Sequence, residues 1–497
     1  MNIVAKNLEE FKPALTFVVS FFTRYIGSSL LKRCGIHKVC DSTAAAVAVD
    51  YDYVKSPLSD LVADSKPKRK RGIGIAAKQI FIDKIAIGFI CESFYQMTKA
   101  GTFFNNYAKD TFYRFDRMHG ANWERLLLET GSNVIADLEN RTTNTHPRVL
   151  IIDDSLYNRT GGKGTEFVGK VYDHNDRKLR IGYRMMTLGW SNGDLFIPLR
   201  QALLTTRDEN LRVGRFGTPD HRTLSYRRMQ TALTKGTEVM AQMVQDTRNQ
   251  GIPFDYVLFD TWFSSPAQLL DLGSIGAKVI AMSKKNSAKY VYVNSDGKEE
   301  QLNIKQIYAA NRKRRGRSKY LLSIPVTIVS KDGRTRMKAK LVYARNHSNK
   351  KDWVCFICTD PDLDEETVLE TYCLRWKIEV YFKTCKSLLK LRTECHSTSY
   401  DAITSHMVIV AIRYMILAVS KFDNTDDRSL KDIMEGIKRE VVSDTLLKHC
   451  NIFANFMFKF VKGYFNLSDE DYKKFIEDFI HALPSGWNFW IHSIAMA

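Results

Sequence analysis

Four acidic residues in a basic chain carry the first chemical signal. Asp153 and Asp154 close the apolar run RVLIIDDS, Asp260 closes the apolar part of FDYVLFDTWF, and Glu379 lies within YCLRWKIEVYFKTCKSLLKL, residues 372–391. An apolar run closing on a carboxylate reads as a buried strand whose C-terminal end is chemically loaded. Carboxylates at strand ends on one sheet edge can converge on divalent cations, because magnesium takes hard oxygen ligands and keeps positions open for phosphate. Two such ions activate an attacking oxygen and stabilise the leaving one in an in-line displacement. Alternation along a strand sends Asp153 and Asp154 to opposite faces, so only one of the two can be a ligand.

The glutamate sits in a patterned segment. Tyr372, Arg375, Glu379, Lys383 and Lys386 are spaced by three, four, four and three residues. At about 100° per residue they share one helical stripe roughly 80° wide. Leu374, Ile378, Tyr381, Cys385 and Leu388 fall opposite, as a core-facing side. Alone, such a stripe is a solvated face whose Glu–Lys pairs contribute a few tenths of a kcal/mol. Its surroundings decide its meaning.

A chain of 497 residues exceeds one hydrophobic core and predicts several domains. The net charge of +19 favours a polyanionic partner, nucleic acid or an anionic membrane surface. The apolar runs ALTFVVSFF and MVIVAIRYMILAV are shorter than the ~20 residues a hydrocarbon core requires, and no clean secretory cleavage site follows the first. Nine scattered cysteines suit a reducing compartment. The expectation is a cytoplasmic protein without a membrane partner, which favours nucleic acid. CFIC (355–358) lacks the second pair of a zinc site, and GGKGT lacks the Gly-Lys-Ser/Thr ending of a phosphate loop.

Along the chain, residues 1–145 read as helical, with the basic run KPKRKR (66–71) and the segment AKDTFYRFDRM (108–118) suited to DNA-end recognition. From 146 to 283 the texture is α/β: YRMMTLGW and DLFIPLRQALL joined by the turn SNGD, a helical stretch near 225–250, then AKVIAMS. Residues 284–358 predict β-hairpins. Between 284 and 351 there are 19 Lys and Arg against 4 Asp and Glu, a net of +15. The densest point is a loop containing Arg312, Lys313, Arg314 and Arg315. So much positive charge in one module predicts a clamp on backbone phosphates. Residues 359–400 carry the glutamate helix, and 401–497 read as helical, a candidate region for dimerisation.

In order, IIDDS, LFDTW and YCLRWKIEVYFKTCK resemble the DDE transposases of bacterial insertion sequences, specifically the IS-four family with its Tyr-Arg-Glu-Lys signature. Tyr372, Arg375, Glu379 and Lys386 match that signature at every gap, and residues 157–199 and AKDTFYRF read like the family's flanks. The resemblance implies an α/β fold: a ribonuclease-H-like mixed-sheet catalytic domain, interrupted by a β-strand insertion before the glutamate helix and flanked by helical regions. It implies Asp154, Asp260 and Glu379 as ligands of two magnesium ions, with manganese a substitute, since the family motif places the first ligand directly before Ser or Thr. Arg375, Lys383 and Lys386 would hold phosphates near the cleaved end, Tyr372 would hydrogen-bond a backbone phosphate, and Trp353 would stack on a flipped base.

The implied partners are double-stranded DNA, as terminal inverted repeats and as target, and a second copy of the chain in a synaptic homodimer. The implied setting is the bacterial cytoplasm, on the nucleoid when bound. The implied activity is strand cleavage and 3′-hydroxyl strand transfer. A catalytically silent DNA-binding derivative and a structure-selective nuclease on the same fold are the competing readings.

Overall fold

The computed structural model describes residues 12–36, 38–40, 74–90, 109–141, 146–159, 162–173, 176–217, 219–311, 320–346, 349, 352–439 and 460–482. Arg312, Lys313, Arg314, Arg315 and the run 66–71 lie outside them. The chain forms two compact units, one of residues 17–431 and one of the two ends. In the second unit, the helix Asp469–Ala482 stacks Phe475 on Phe479 at 6.4 Å.

The larger unit is built on one sheet. Its strands are β1 (Val149–Asn158), β2 (Gly169–Asp173), β3 (Lys178–Ser191), β4 (Phe196–Leu204), β5 (Tyr256–Phe259), β6 (Val279–Met282), β7 (Lys289–Val293), β8 (Glu299–Asn303), β9 (Tyr320–Val329), β10 (Arg336–Arg345) and β11 (Trp353–Cys358). The order runs β8-β7-β9-β10-β11-β6-β5-β1-β3-β2, with β4 also paired to β3. The pairs β1–β5 and β5–β6 are parallel, and the rest are antiparallel. The first four residues of β1, and β5 and β6, are apolar runs packed in the interior of the sheet, and Val149 to Ile152 and Val257 to Phe259 are wholly buried.

The helices used below are α1 (Ala77–Ile90), α2 (Lys109–Asp116), α3 (Trp123–Glu139), α4 (Leu224–Leu233), α5 (Gly236–Asn249), α6 (Pro266–Ser274), α7 (Ile304–Asn311), α8 (Glu365–Cys373), α9 (Trp376–Ser387) and α10 (Tyr400–Asp423). Side-chain caps start several of them: Asn122 on α3, Thr223 on α4, Ser265 on α6 with Pro266 following, and Asp364 on α8. α9 packs on β1 and β4, α10 on β4, α3 and α1, and α8 on β6. The apolar run centred on MVIVAIRYMILAV lies in α10, which is long and apolar enough to cross a membrane by length and composition. Its apolar window is nevertheless entirely buried within the protein.

Four details depart from the sequence reading. β1 continues past both aspartates to Asn158 because Ser155 to Asn158 keep pairing with the long β3. The two aspartates therefore end the parallel ladder with β5 rather than the strand. The helical stretch near 225–250 is two helices, divided at Thr234 and Lys235. The basic module includes the helix α7, and its strands join the main sheet through β11 and β6. Residues 372–391 are not one helix, since α8 ends at Cys373 and α9 begins at Trp376. Leu374, Arg375, Lys377 and Ile378 donate three residues back, to Thr371, Tyr372, Leu374 and Arg375. That tighter 3₁₀-type winding joins the two helices, and Tyr372 still meets Arg375 across it.

Candidate active site

Two strands bring the aspartates together. The parallel register of β1 and β5 pairs Val149 with Tyr256, Leu150 with Val257 and Ile151 with Leu258. Continued along both chains, that register sets Asp153 alongside Asp260. The electrostatics agree: the Asp153 carboxyl is pushed up to about 7, by burial first and then by the charges of Asp260 and Asp154. A carboxyl whose proton affinity is raised by burial and by a neighbouring carboxylate marks a place where added positive charge would be stabilised.

Asp154 has another partner. Across β3 it stands opposite Met186, and Arg184, two residues away on the same face, reaches it with Nε to Oδ2 at 2.7 Å and Nη2 to Oδ1 at 2.9 Å. This is a two-toothed, charge-assisted pair with both partners largely buried. Strand alternation thus gives the two aspartates different partners. Asp153 faces Asp260, and Asp154, which the motif selects as the ligand, faces a guanidinium.

Glu379 enters from α9, whose Ile378, Tyr381 and Cys385 are fully buried and fix the helix on the sheet. Arg375 Nη2 donates to Glu379 Oε1 at 2.5 Å, while its Nη1 lies 3.5 Å from Asp153 Oδ2. One guanidinium therefore joins the helix carboxylate to the strand carboxylate. Tyr372 is buried against Phe356 with ring centroids 4.8 Å apart, and Arg375 lies over its ring at 5.9 Å. Lys386 reaches Ser155 Oγ on β1, and its ammonium is pulled down to about 8, by burial first and then by Arg392. Lys383 is exposed on the same helix.

Trp353 stands at the start of β11. Tyr308 stacks on its ring at 4.8 Å, Tyr343 meets it edge-on at 5.2 Å, and Lys285 Nζ lies 4.2 Å from its centroid. Arg184, Ser155 and Trp262 also belong to the neighbourhood of the site, and the sequence reading did not single them out. Ser155 entered there only as the residue after Asp154, and Trp262 as the aromatic two residues after Asp260.

Asp153 and Asp260 suit a divalent cation as hard oxygen donors in adjacent positions. Glu379 is engaged by Arg375, and among the described residues no three His, Cys, Asp or Glu side chains are grouped to hold a metal.

Residues 220–416 match the family model described as the transposase DDE domain, a span that includes Asp260 and Tyr372 to Lys386 and begins beyond Asp153 and Asp154. The match supports a DDE transposase, a polynucleotidyl transferase and endonuclease class that acts on DNA and generally uses divalent metals. No curated protein matches the chain.

Proposed function

We propose that this chain is a cut-and-paste transposase of the IS-four kind. It binds the terminal inverted repeats of its element, nicks a strand with water to free a 3′-hydroxyl, and joins that end to target DNA. The observation that carries the reading is the β1–β5 register beside Asp153 and Asp260, with Glu379 linked to Asp153 through Arg375. The strand order β4-β3-β1-β5-β6 supports a ribonuclease-H-like catalytic domain.

In this reading Asp153 takes the place the motif gives to Asp154. Asp153, Asp260 and Glu379 would hold two magnesium ions, or manganese in their stead, which would supply the Lewis acidity for in-line displacement. Arg375 exchanges Glu379 for a DNA phosphate as the substrate docks, and so frees the third carboxylate. Lys386 and Lys383 add positive charge along α9 for the same backbone. Lys289 on β7 and Arg336, Lys338 and Arg345 on β10 extend this grip, and a homodimer pairs the two element ends. The protein would work in the cytoplasm, on the nucleoid when bound.

Incubating the full chain with pre-cleaved element ends and a target plasmid tests the reading. Magnesium-dependent joined products are expected. Cutting of intact ends without joining would instead identify a structure-selective nuclease, and binding with neither step a silent derivative.

A further inference from the structure

His119 lies on the turn between α2 and α3, with its side chain 68% exposed and its Nδ1 2.6 Å from Asp401 Oδ2. Asp401, in the first turn of α10, is fully buried. Its other oxygen, Oδ1, accepts from Arg228 Nε at 3.0 Å and from Nη2 at 2.5 Å. Arg228 Nη1 in turn donates to the Ala121 carbonyl at 2.8 Å, and the Asn122 N–H donates to the Cys34 carbonyl at 2.8 Å. The turn, α4 and α10 are therefore joined through one buried carboxylate, and an open imidazole stands at its outer end.

These bonds fix which ring nitrogen is available. Asp401, paired with a guanidinium, is an acceptor, so His119 Nδ1 carries the hydrogen. In the neutral ring Nε2 then holds a lone pair and can only accept, whereas in the cation it holds a hydrogen and can only donate. The charged groups joined to the ring are Asp401 on α10, Arg228 on α4 and Glu124 on α3, whose Oε2 lies 3.8 Å from Arg228 Nη1. One guanidinium against two carboxylates leaves a net negative charge, which a proton on His119 balances. The exposed Arg117 on the same turn and the exposed Arg227 on α4 have no ion-pair partner among the described residues.

We propose that His119 binds a DNA backbone phosphate as the imidazolium, so that docking on this turn takes up a proton from solvent. A phosphate oxygen without a proton only accepts hydrogen bonds, so a lone pair on Nε2 cannot meet it and the cation is required. Asp401 sets the orientation of the ring and offsets the charge on its inner side. Arg117 and Arg227 add positive charge that does not titrate. The contact carries no sequence information, and it extends the DNA footprint from the carboxylates to the turn between α2 and α3. The proposal rests on the DNA reading of the chain.

Titration calorimetry of the full chain with a duplex of about 20 base pairs tests it. EDTA prevents cleavage, and two buffers of different ionisation enthalpy count the protons exchanged. At about pH 7.5 the wild type is expected to take up roughly half a proton more per bound chain than His119→Gln, which should bind about three- to tenfold more weakly. His119→Lys, cationic without uptake, is expected to keep most of the wild-type affinity and to lose the extra proton. The side chain is exposed, so both variants should fold. Equal uptake by wild type and His119→Gln would overturn the contact and leave the DNA reading standing. An affinity of His119→Lys as low as that of His119→Gln would count against it in the same way. Failure of the wild type to bind the duplex would remove the DNA reading and the contact together.

Discussion

Arg375 and Glu379, one turn apart, are ion-paired at 2.5 Å, and the same guanidinium stands 3.5 Å from Asp153. The arginine thus serves as the counter-ion of the carboxylates when DNA is absent. Arg375→Ala removes the ion-pair partner of Glu379 and leaves like charges facing one another. The DNA-free variant is expected to bind manganese about tenfold more tightly than wild type, equivalent to about 1.4 kcal/mol of repulsion relieved by the ion. Titration calorimetry measures this. Unchanged or weaker manganese binding would remove Arg375 from the counter-ion role.

Asp153 and Asp154 are adjacent in sequence yet differ in partner, and their variants should differ in kind. Asp153→Asn is expected to abolish cleavage of element ends. Asp154→Asn, which acts through Arg184, is expected to lower the rate by about 10- to 100-fold, the range for outer-sphere support of a site. Both proteins should retain end binding in a gel-shift assay. An inactive Asp154→Asn beside an active Asp153→Asn would restore the motif's original choice.

How far the site was legible in the sequence depended on what each residue's partner was. The strand signals around Asp153 and Asp260 are local, so RVLIIDDS and FDYVLFDTWF announced themselves as apolar runs. The choice within the aspartate pair was not local: it depends on the β1–β5 register and on Arg184, which lies 30 residues away. Helical spacing aligned Arg375 and Glu379 correctly because they are four apart. It missed the break between α8 and α9, because a 3₁₀-type step carries no periodic signal in the side chains. The resemblance assigned Trp353 to a flipped base, and nothing in the sequence pattern marked Tyr308, which stacks on that ring from a helix the β-rich texture concealed.

The buried pair Glu394–Arg413 should govern acid stability. Burial alone would raise the Glu394 carboxyl, but the Arg413 charge and hydrogen bonds overcome it and draw it down to about 2 from an ordinary 4.5. A folded-state value below the unfolded one means that the contribution is complete above pH 4.5 and is lost as pH falls toward about 2. Its size is on the order of 3 kcal/mol. Urea unfolding as a function of pH should show this slope in wild type, and Glu394→Gln should flatten it while costing about 3–5 kcal/mol at neutral pH. An equal acid slope in Glu394→Gln would assign the effect to other carboxylates.

The same arginine constrains α1. Arg413 donates to the carbonyls of Lys84 and Ile85 and crosses Gly88 so closely that a Cβ there would fall inside the guanidinium. Gly88→Ala should therefore destabilise the protein by about 1–3 kcal/mol through overpacking, although alanine is the better helix former. Thermal melts decide the sign. A stabilised variant would mean that α1 shifts freely against α10.

The join between β6 and β11 gives the basic module a second task. Three residue pairs, from Ile280 with Cys358 to Met282 with Phe356, cover the outer side of the apolar strand β6. A chain from which residues 284–358 were cut out would present Val279, Ile280 and Ala281 on a bare sheet edge, open to pairing with any other strand in solution. The positively charged insertion is therefore also the guard of that edge. A truncated protein would reveal the lost guard through aggregation before its loss of DNA affinity could be measured.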